Sequence, residues 1–356
     1  MEALGIDADF WRGRSVLITG HTGFKGAWLS FWLTRLGARV TGYALPPESA
    51  PNLYTLLDAK NDCISEIADV RDRASIERVL KNAGPSVVFH LAAQALVRRG
   101  YDAAVETFAT NVMGTANLLD AVRNVSSVRG VVVVTTDKCY ANIELVARPF
   151  RESDPLGGFD PYSASKAAAE IVTAAYRSSF LANAGVVVAT ARAGNVIGGG
   201  DWSRDRIVPD IIRAAQDGRA VELRHPGATK PWQHVLEPLA GYMLLAQRAA
   251  AGDTSIDGAW NFGPSDDGDI PVSRLVEMMQ EELGAPLPWV PNRELQLLHE
   301  AQTLRLDAGK ARSQLDWRPR LSMIEAVRLT AQWYRRVASG ESPRDVSAEQ
   351  LESYAS

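Results

Sequence analysis

The chain has 356 residues, 46% of them hydrophobic and 22% charged, with 38 basic against 42 acidic side chains and a formal net charge of −4. That balance excludes disordered, fibrous and low-complexity chains and carries no overall signature of nucleic-acid or membrane-surface binding. Without a signal-peptide pattern at its start, a long apolar run, or more cysteines than Cys63 and Cys139, the sequence predicts a soluble, cytoplasmic protein with neither a disulfide framework nor a zinc site.

Over about the first two hundred residues, short β-branched runs alternate with longer amphipathic segments, the order of a parallel sheet covered by helices. Residues 15–19 predict a strand and 24–36 a helix stopped by Gly37; 39–43 predict a second strand closed by Pro46 and Pro47. A short third strand follows at 63–67, a helix at 74–81, a fourth strand at 86–90 and a long helix within 103–123. Four consecutive valines in 129–135 read as a strand buried on both faces. A helix over 161–184, with Pro161 suited to its first turn, leads to a sixth strand at 186–191. The fold class expected is α/β: a doubly wound (Rossmann) parallel sheet over residues 10–194, with a smaller, partly interleaved C-terminal lobe over 195–340. In that lobe the helical stretches are 208–217, 238–251, 272–283 and 324–339, and the aspartate-rich segment 253–269 reads as a loop.

Between the first strand and first helix stands Gly20-His21-Thr22-Gly23-Phe24-Lys25-Gly26. Glycines at such a turn let the backbone approach a pyrophosphate, whose charge the helix N-terminus attracts. The acidic residue that would hold the adenosine ribose of NAD is missing after the second strand, where Tyr43-Ala44-Leu45-Pro46 stands. His21, Lys25 and Arg39 could equally favour the 2′-phosphate of NADP, so these residues do not separate the two cofactors. Asp69-Val70, after the third strand, is a candidate for the adenine edge or simply an exposed turn.

Tyr162-Ser163-Ala164-Ser165-Lys166 puts a phenol and an amine on one helical face. A neighbouring ammonium stabilises a phenolate and draws its pKa of about 10 toward neutrality, so Tyr162 is a candidate base; the alternative is a solvated i,i+4 pair. Thr135-Thr136-Asp137-Lys138-Cys139-Tyr140 closes the four-valine strand, where open α/β sheets place their ligands. An adjacent acid and amine can divide general acid and base work, or merely terminate the strand. Lys25, Lys138, Lys166 and Lys230, four of the seven lysines, fall within the motifs discussed here.

With His90-Leu91-Ala92-Ala93-Gln94 and Asn111-Val112-Met113-Gly114-Thr115, these motifs occur in the order of extended short-chain dehydrogenases. Thr136–Tyr140, residues 192–202 (Arg-Ala-Gly-Asn-Val-Ile-Gly-Gly-Gly-Asp-Trp) and Pro231-Trp232-Gln233-His234-Val235 narrow the likeness: the chain resembles the CDP-glucose 4,6-dehydratase family from about Phe10 to Tyr334. The resemblance implies retained NAD, a homodimer built from the helices at 103–123 and 161–184, and a CDP-4-keto-6-deoxyglucose product, a precursor of dideoxy sugars in surface polysaccharide. It implies Tyr162 and Lys166 for oxidation, a Thr136 hydrogen bond to the substrate, and Asp137 with Lys138 for elimination. For Lys138 it leaves two roles, neutral base at C5 or charged support of the enolate. Cofactor contacts are implied for Gly20, Gly23, Phe24, Lys25, Gly26, Asp69, Val70, Leu91, Ala92, Ala93, Thr110, Tyr162 and Lys166. Substrate contacts are implied for Asn195, Arg206, Lys230, Trp232 and His234; Lys230 stands where relatives usually carry arginine. The alternatives are a sugar-nucleotide 4-epimerase, which has no use for Asp137-Lys138, and a non-catalytic dinucleotide sensor, which has none for Tyr162-Lys166.

Overall fold

The computed structural model describes residues 4–141, 148–264, 268–284, 288–292 and 303–356. Strands β1 (Ser15–Thr19), β2 (Arg39–Ala44), β3 (Ile64–Ile67), β4 (Val87–His90), β5 (Gly130–Val134) and β6 (Val187–Ala193) fall within two residues of their predicted bounds. After them come β7 (Asn195–Ile197), β8 (Val221–Leu223), β9 (Thr229–His234), β10 (Gly258–Phe262), β11 (Asp269–Pro271) and β12 (Trp289–Pro291). The main sheet has seven strands in the order β3-β2-β1-β4-β5-β6-β10, all pairs parallel. Two small sheets, β11-β9-β7 and β12-β8, are formed outside it by later strands.

The valine strand shows why the sheet must be covered on both sides. Successive side chains of a strand point to opposite faces. Val132 and Val134 enter the core that holds Trp28, Trp32, Trp260 and Trp333; Val131 and Val133 enter the other, with Leu17, Leu118 and Leu119. All strands run the same way, but the order in which they are added reverses between β1 and β4, and ligands bind at such a switch point, outside the carboxyl ends of the strands.

Some expectations need correction. The 253–269 segment is not simply a loop: β10 lies inside it as the seventh strand of the main sheet, its Trp260 and Phe262 fully buried. Three apolar positions in five residues, flanked by glycine and aspartate, are too short a signal to outweigh the turn composition around them. The helix expected within 103–123 is interrupted by a wider π-helical turn at Ala109–Met113 between Ala104–Phe108 and Gly114–Val122. The helix expected over 161–184 ends at Tyr176 and continues as the irregular turns Arg177–Leu181 and Ala182–Ala184.

The C-terminal helix Pro343–Ala355, absent from the sequence reading, seals the bottom of the large core. Its Ser347 accepts from the Trp333 indole at 2.9 Å, and its Tyr354 hydroxyl donates to Glu237 Oε2 at 2.8 Å. Glu237 Oε1 accepts from the backbone amides of Arg320 and Leu321 at 2.9 and 2.7 Å. Even so, burial raises the Glu237 pKa from 4.5 to about 7. A raised folded-state pKa contributes stability that is fully present below about 4.5 and is lost as pH rises through about 7. In Glu237→Gln the amide oxygen keeps the two backbone bonds without the titration. Urea denaturation should show the variant's stability, relative to the unaltered chain, improving by about 1–3 kcal/mol between pH 5 and pH 8. A difference that does not change with pH would mean that Glu237 is charged throughout.

Candidate active site

The glycine turn is built for a close ligand. Gly20 has φ +79°, and a Cβ there would lie 2.7 Å from the Ala92 amide nitrogen. A Cβ on Gly26 would reach within 2.0 Å of the Gly20 carbonyl, so helix Phe24–Arg35 and the turn can pack together only with glycine present. Gly23 is the N-cap, has no side-chain cap and is exposed, which leaves the first helical amides available to an anion. The turn therefore fits a dinucleotide diphosphate. Phe24 packs toward Gly198.

The basic residues weighed for a 2′-phosphate do not assemble into one. His21 is fully buried, donates to or accepts from Ser65 Oγ at 2.7 Å, and burial lowers its pKa to about 4. Arg39 is at the opposite end of β2, its Nε donating to the Gly13 carbonyl at 3.1 Å. Lys25 points into the reaction cleft. Asp69 is engaged by its own turn: its carboxylate accepts from the Arg71 amide at 2.8 Å and from the Arg71 guanidinium, whose bonds hold its pKa below the ordinary value. Val70 is buried against Gly114.

Beyond β4, Leu91 and Ala92 hang from β1: their amides donate to the Thr19 carbonyl and hydroxyl at 3.1 and 3.2 Å. Ala93 and Thr110 are half-buried nearby in sequence to residues that lock the region together. His90 bridges Thr19 Oγ1 at 2.7 Å and Thr115 Oγ1 at 3.0 Å. The Thr115 hydroxyl proton is already committed to the Asn111 carbonyl, so His90 donates from Nε2 and accepts at Nδ1. Burial lowers its pKa to about 3, so it stays neutral. Asn111 exchanges bonds with the Gln94 backbone and donates to Ser165 Oγ at 2.8 Å, which in turn donates to the Tyr162 carbonyl at 2.7 Å.

Helix Pro161–Tyr176 begins with Asp160 as N-cap, accepting from the Ser163 amide at 3.0 Å, and with Pro161 in its first turn. Tyr162 lines a cleft that it shares with Lys25, Thr136, Asp137, Lys138 and Asn195. Burial raises its pKa; Lys138 is the largest opposing influence, ahead of Thr136 and Arg206. The sequence reading named Lys166 as the charge beside the phenol; Lys138 acts on it as well. Lys166 is buried, donates to the Val134 carbonyl at 3.0 Å and has its pKa lowered to about 8 by burial.

Asp137 is 1% exposed. Its Oδ1 accepts from Thr136 Oγ1 at 2.9 Å and Lys138 Nζ at 3.2 Å, while Oδ2 is buried with no partner. A buried oxygen without a partner is costly, and a hydroxyl entering the cleft would satisfy it. Lys138 Nζ also donates to Asn195 Oδ1 at 3.1 Å. Arg206, Lys230 and Trp232 line the same cleft, with Arg98 and Arg224, which the sequence reading did not single out. His234 does not: it is fully buried outside the cleft lining, accepting from the Leu236 amide at 3.4 Å, with its pKa lowered to about 3 by burial. Its polar ring serves the start of the following helix.

The sequence reading also missed the floor of the site. Glu170 and Arg192, each 4% exposed by side chain, form a two-pronged ion pair at 3.0 and 2.9 Å. Glu170 also accepts from Thr135 and Thr190, and Arg192 donates to the Tyr140 hydroxyl at 2.9 Å. The spacing Tyr162, Lys166, Glu170 along one helix face was the available signal. Removing one partner of a buried pair typically costs about 3–5 kcal/mol, whereas replacing both is nearly neutral. Glu170→Ala should lower stability by that amount in urea denaturation, and Glu170→Leu with Arg192→Met should recover most of it.

The family model described as GDP-mannose 4,6 dehydratase matches residues 17–330. A CDP-glucose 4,6-dehydratase of Salmonella typhimurium is 44% identical over 99% of this chain and 99% of its own length. A dTDP-glucose 4,6-dehydratase of Neisseria meningitidis serogroup B is 26% identical over 90% of this chain and 93% of its own. Among solved structures, a double mutant of dTDP-glucose 4,6-dehydratase from Streptomyces venezuelae with NAD bound is 26% identical, with a TM-score of 0.77 over 92% of this chain and 99% of that one.

Proposed function

The chain belongs to the GDP-mannose 4,6 dehydratase family, and from that premise we propose that it is an NAD-dependent CDP-glucose 4,6-dehydratase, a hydro-lyase. The observation that carries this reading is the orphaned Asp137 Oδ2 beside Lys138 in the cleft that Tyr162 lines. An epimerase needs no such acid–amine pair, and a dinucleotide sensor needs neither it nor Tyr162.

Gly20, Gly23 and Gly26 would hold the diphosphate of NAD, with Lys166 and Tyr162 toward its nicotinamide end. Bound there, NAD would supply an acceptor for the C4 hydrogen as hydride and, once reduced, a hydride donor for C6. Tyr162 takes the C4 hydroxyl proton, helped by the Lys138 charge and the Thr136 hydroxyl. The resulting 4-ketone acidifies the C5 hydrogen. Across the 3.2 Å contact, a proton passing from Lys138 to Asp137 converts the ion pair into an amine and a carboxylic acid. In those forms Lys138 removes the C5 proton and Asp137 protonates the departing C6 oxygen, which leaves as water; Lys138 gives a proton back to C5 when C6 takes the hydride, and the proton that Tyr162 took from the C4 hydroxyl then restores the Lys138 ammonium. Lys230, Arg206 and Arg98 would meet the substrate diphosphate; Lys230 does so as a point charge rather than a fork.

Incubation with CDP-, dTDP-, UDP- and GDP-glucose tests the substrate: only the CDP sugar should lose one water by mass at an appreciable rate. Asp137→Asn should cut turnover by about 10²–10⁴, with reduced dinucleotide building up on the enzyme after the first oxidation, and Lys138→Ala should lose exchange of the C5 hydrogen with deuterated solvent. Exchange retained in Lys138→Ala would instead give Lys138 the enolate-stabilising role.

A homodimer fits the exposed apolar side chains of the two helical stretches named for it, among them Val105 (85% exposed), Met113 (55%) and Ile171 (60%). Among the described residues no helix is long and apolar enough to cross a membrane, in keeping with work in the cytoplasm on a soluble nucleotide sugar. Light scattering should give a dimer mass at micromolar concentration, shifting to monomer in Val105→Glu with Ile171→Glu.

A further inference from the structure

Lys25 has no part in the proton transfers assigned above, yet its placement is specific. Its backbone belongs to the first turn of helix Phe24–Arg35, on the diphosphate turn, while its side chain lines the cleft with Asp137 and Tyr162. Nζ lies 3.4 Å from the Tyr242 hydroxyl and 5.8 Å from that ring's centroid, so its hydrogen-bond partner is a neutral phenol on helix Leu236–Ala250. The charges around it come from three further directions: Arg206, Lys166 on helix Pro161–Tyr176, and Lys138 and Asp137 on the turn after β5. Burial foremost, then Arg206, Lys166 and Lys138 disfavour an ammonium there; Asp137 favours one; the pKa falls from 10.5 to about 7.

A dinucleotide whose diphosphate rests on Gly20–Gly26 and whose nicotinamide reaches Tyr162 would pass Lys25, whose backbone belongs to that turn and whose side chain lines the cleft with Tyr162. The oxidised nicotinamide ring carries a positive charge that the reduced ring lacks. We propose that Lys25 responds to the oxidation state of the cofactor, shedding its proton to solvent when the oxidised dinucleotide binds and keeping it beside the reduced one. The reduced form is then held more tightly during the interval in which water is eliminated and it must not escape. Lys25 makes and breaks no bond to carbon; its proton exchanges only with water. The inference rests on NAD being the cofactor.

Calorimetric titration of the full chain with NAD and, separately, NADH, in buffers of different ionisation enthalpy, tests it. At pH 7 NAD should release about half a proton more than NADH, and between pH 6 and pH 8 the affinity for NAD relative to NADH should rise about tenfold. Lys25→Met should lose both effects at pH 7, leaving only release centred near the Lys166 pKa of about 8. Lys25→Arg, permanently charged, should keep the low-pH preference for NADH at both pH values. Equal proton release by the two dinucleotides in the unaltered enzyme, or undiminished release in Lys25→Met, would overturn the proposal. No binding of NAD at all would instead overturn the cofactor reading on which it stands.

Discussion

The Glu170–Arg192 ion pair is the joint from which the active site hangs. It ties the helix that carries Tyr162 and Lys166 to β6, and through Thr135 to the end of the valine strand. Through Tyr140, whose hydroxyl donates to Asn261 at 2.6 Å, it also reaches β10. In a dry interior an unpaired charge is costly enough that none of these elements can slide without breaking the pair. The phenol and amine above it are thereby fixed against the strand ends, and their spacing becomes a property of the sheet rather than of one flexible helix.

A second constraint is electrostatic. Lys25, Lys138, Lys230 and Arg206 converge on a cleft whose buried anions are Asp137 and Asp201, with Lys166 just behind at the Val134 carbonyl. Asp137 is bonded to Lys138 and Asp201 to Arg206, and the cations still repel one another across the cleft. A nucleotide sugar brings a diphosphate, and its binding relieves the repulsion. The same crowding adds to the burial that lowers the pKa of Lys25 and opposes the upward push that burial gives Tyr162, so substrate binding and proton chemistry draw on one charge distribution.

The segment after β6 is held to the rest of the molecule by tight packing. A Cβ on Gly199 would lie 1.9 Å from the Trp333 ring, and the Gly199 carbonyl accepts from the Trp28 indole at 3.0 Å. The C-terminal helix then closes over Trp333 and Glu237. Asp201, whose carbonyl accepts from Tyr334 at 2.6 Å and whose Oδ2 accepts from Arg206 at 3.4 Å, connects this packing to the cleft.

The sequence by itself determined the doubly wound sheet, the diphosphate turn and the Tyr162-Lys166 and Asp137-Lys138 motifs, because each is written within a few neighbouring residues: period 2 or 3.6 in hydrophobicity, glycines where the backbone needs them, side chains one helical turn apart. It did not determine that β10 completes the sheet, that Asp69 is engaged by Arg71, that Arg39 faces the wrong end of β2, or that His234 is buried outside the cleft. Nor did it single out Glu170 and Arg192, although the helical spacing was present. Those facts depend on partners far apart along the chain: Tyr140 and Asn261 are 121 positions apart, Lys25 and Tyr242 217. Local pattern says which face of an element is apolar; only tertiary packing decides which buried charge meets which partner, and thus which side chains remain to do chemistry.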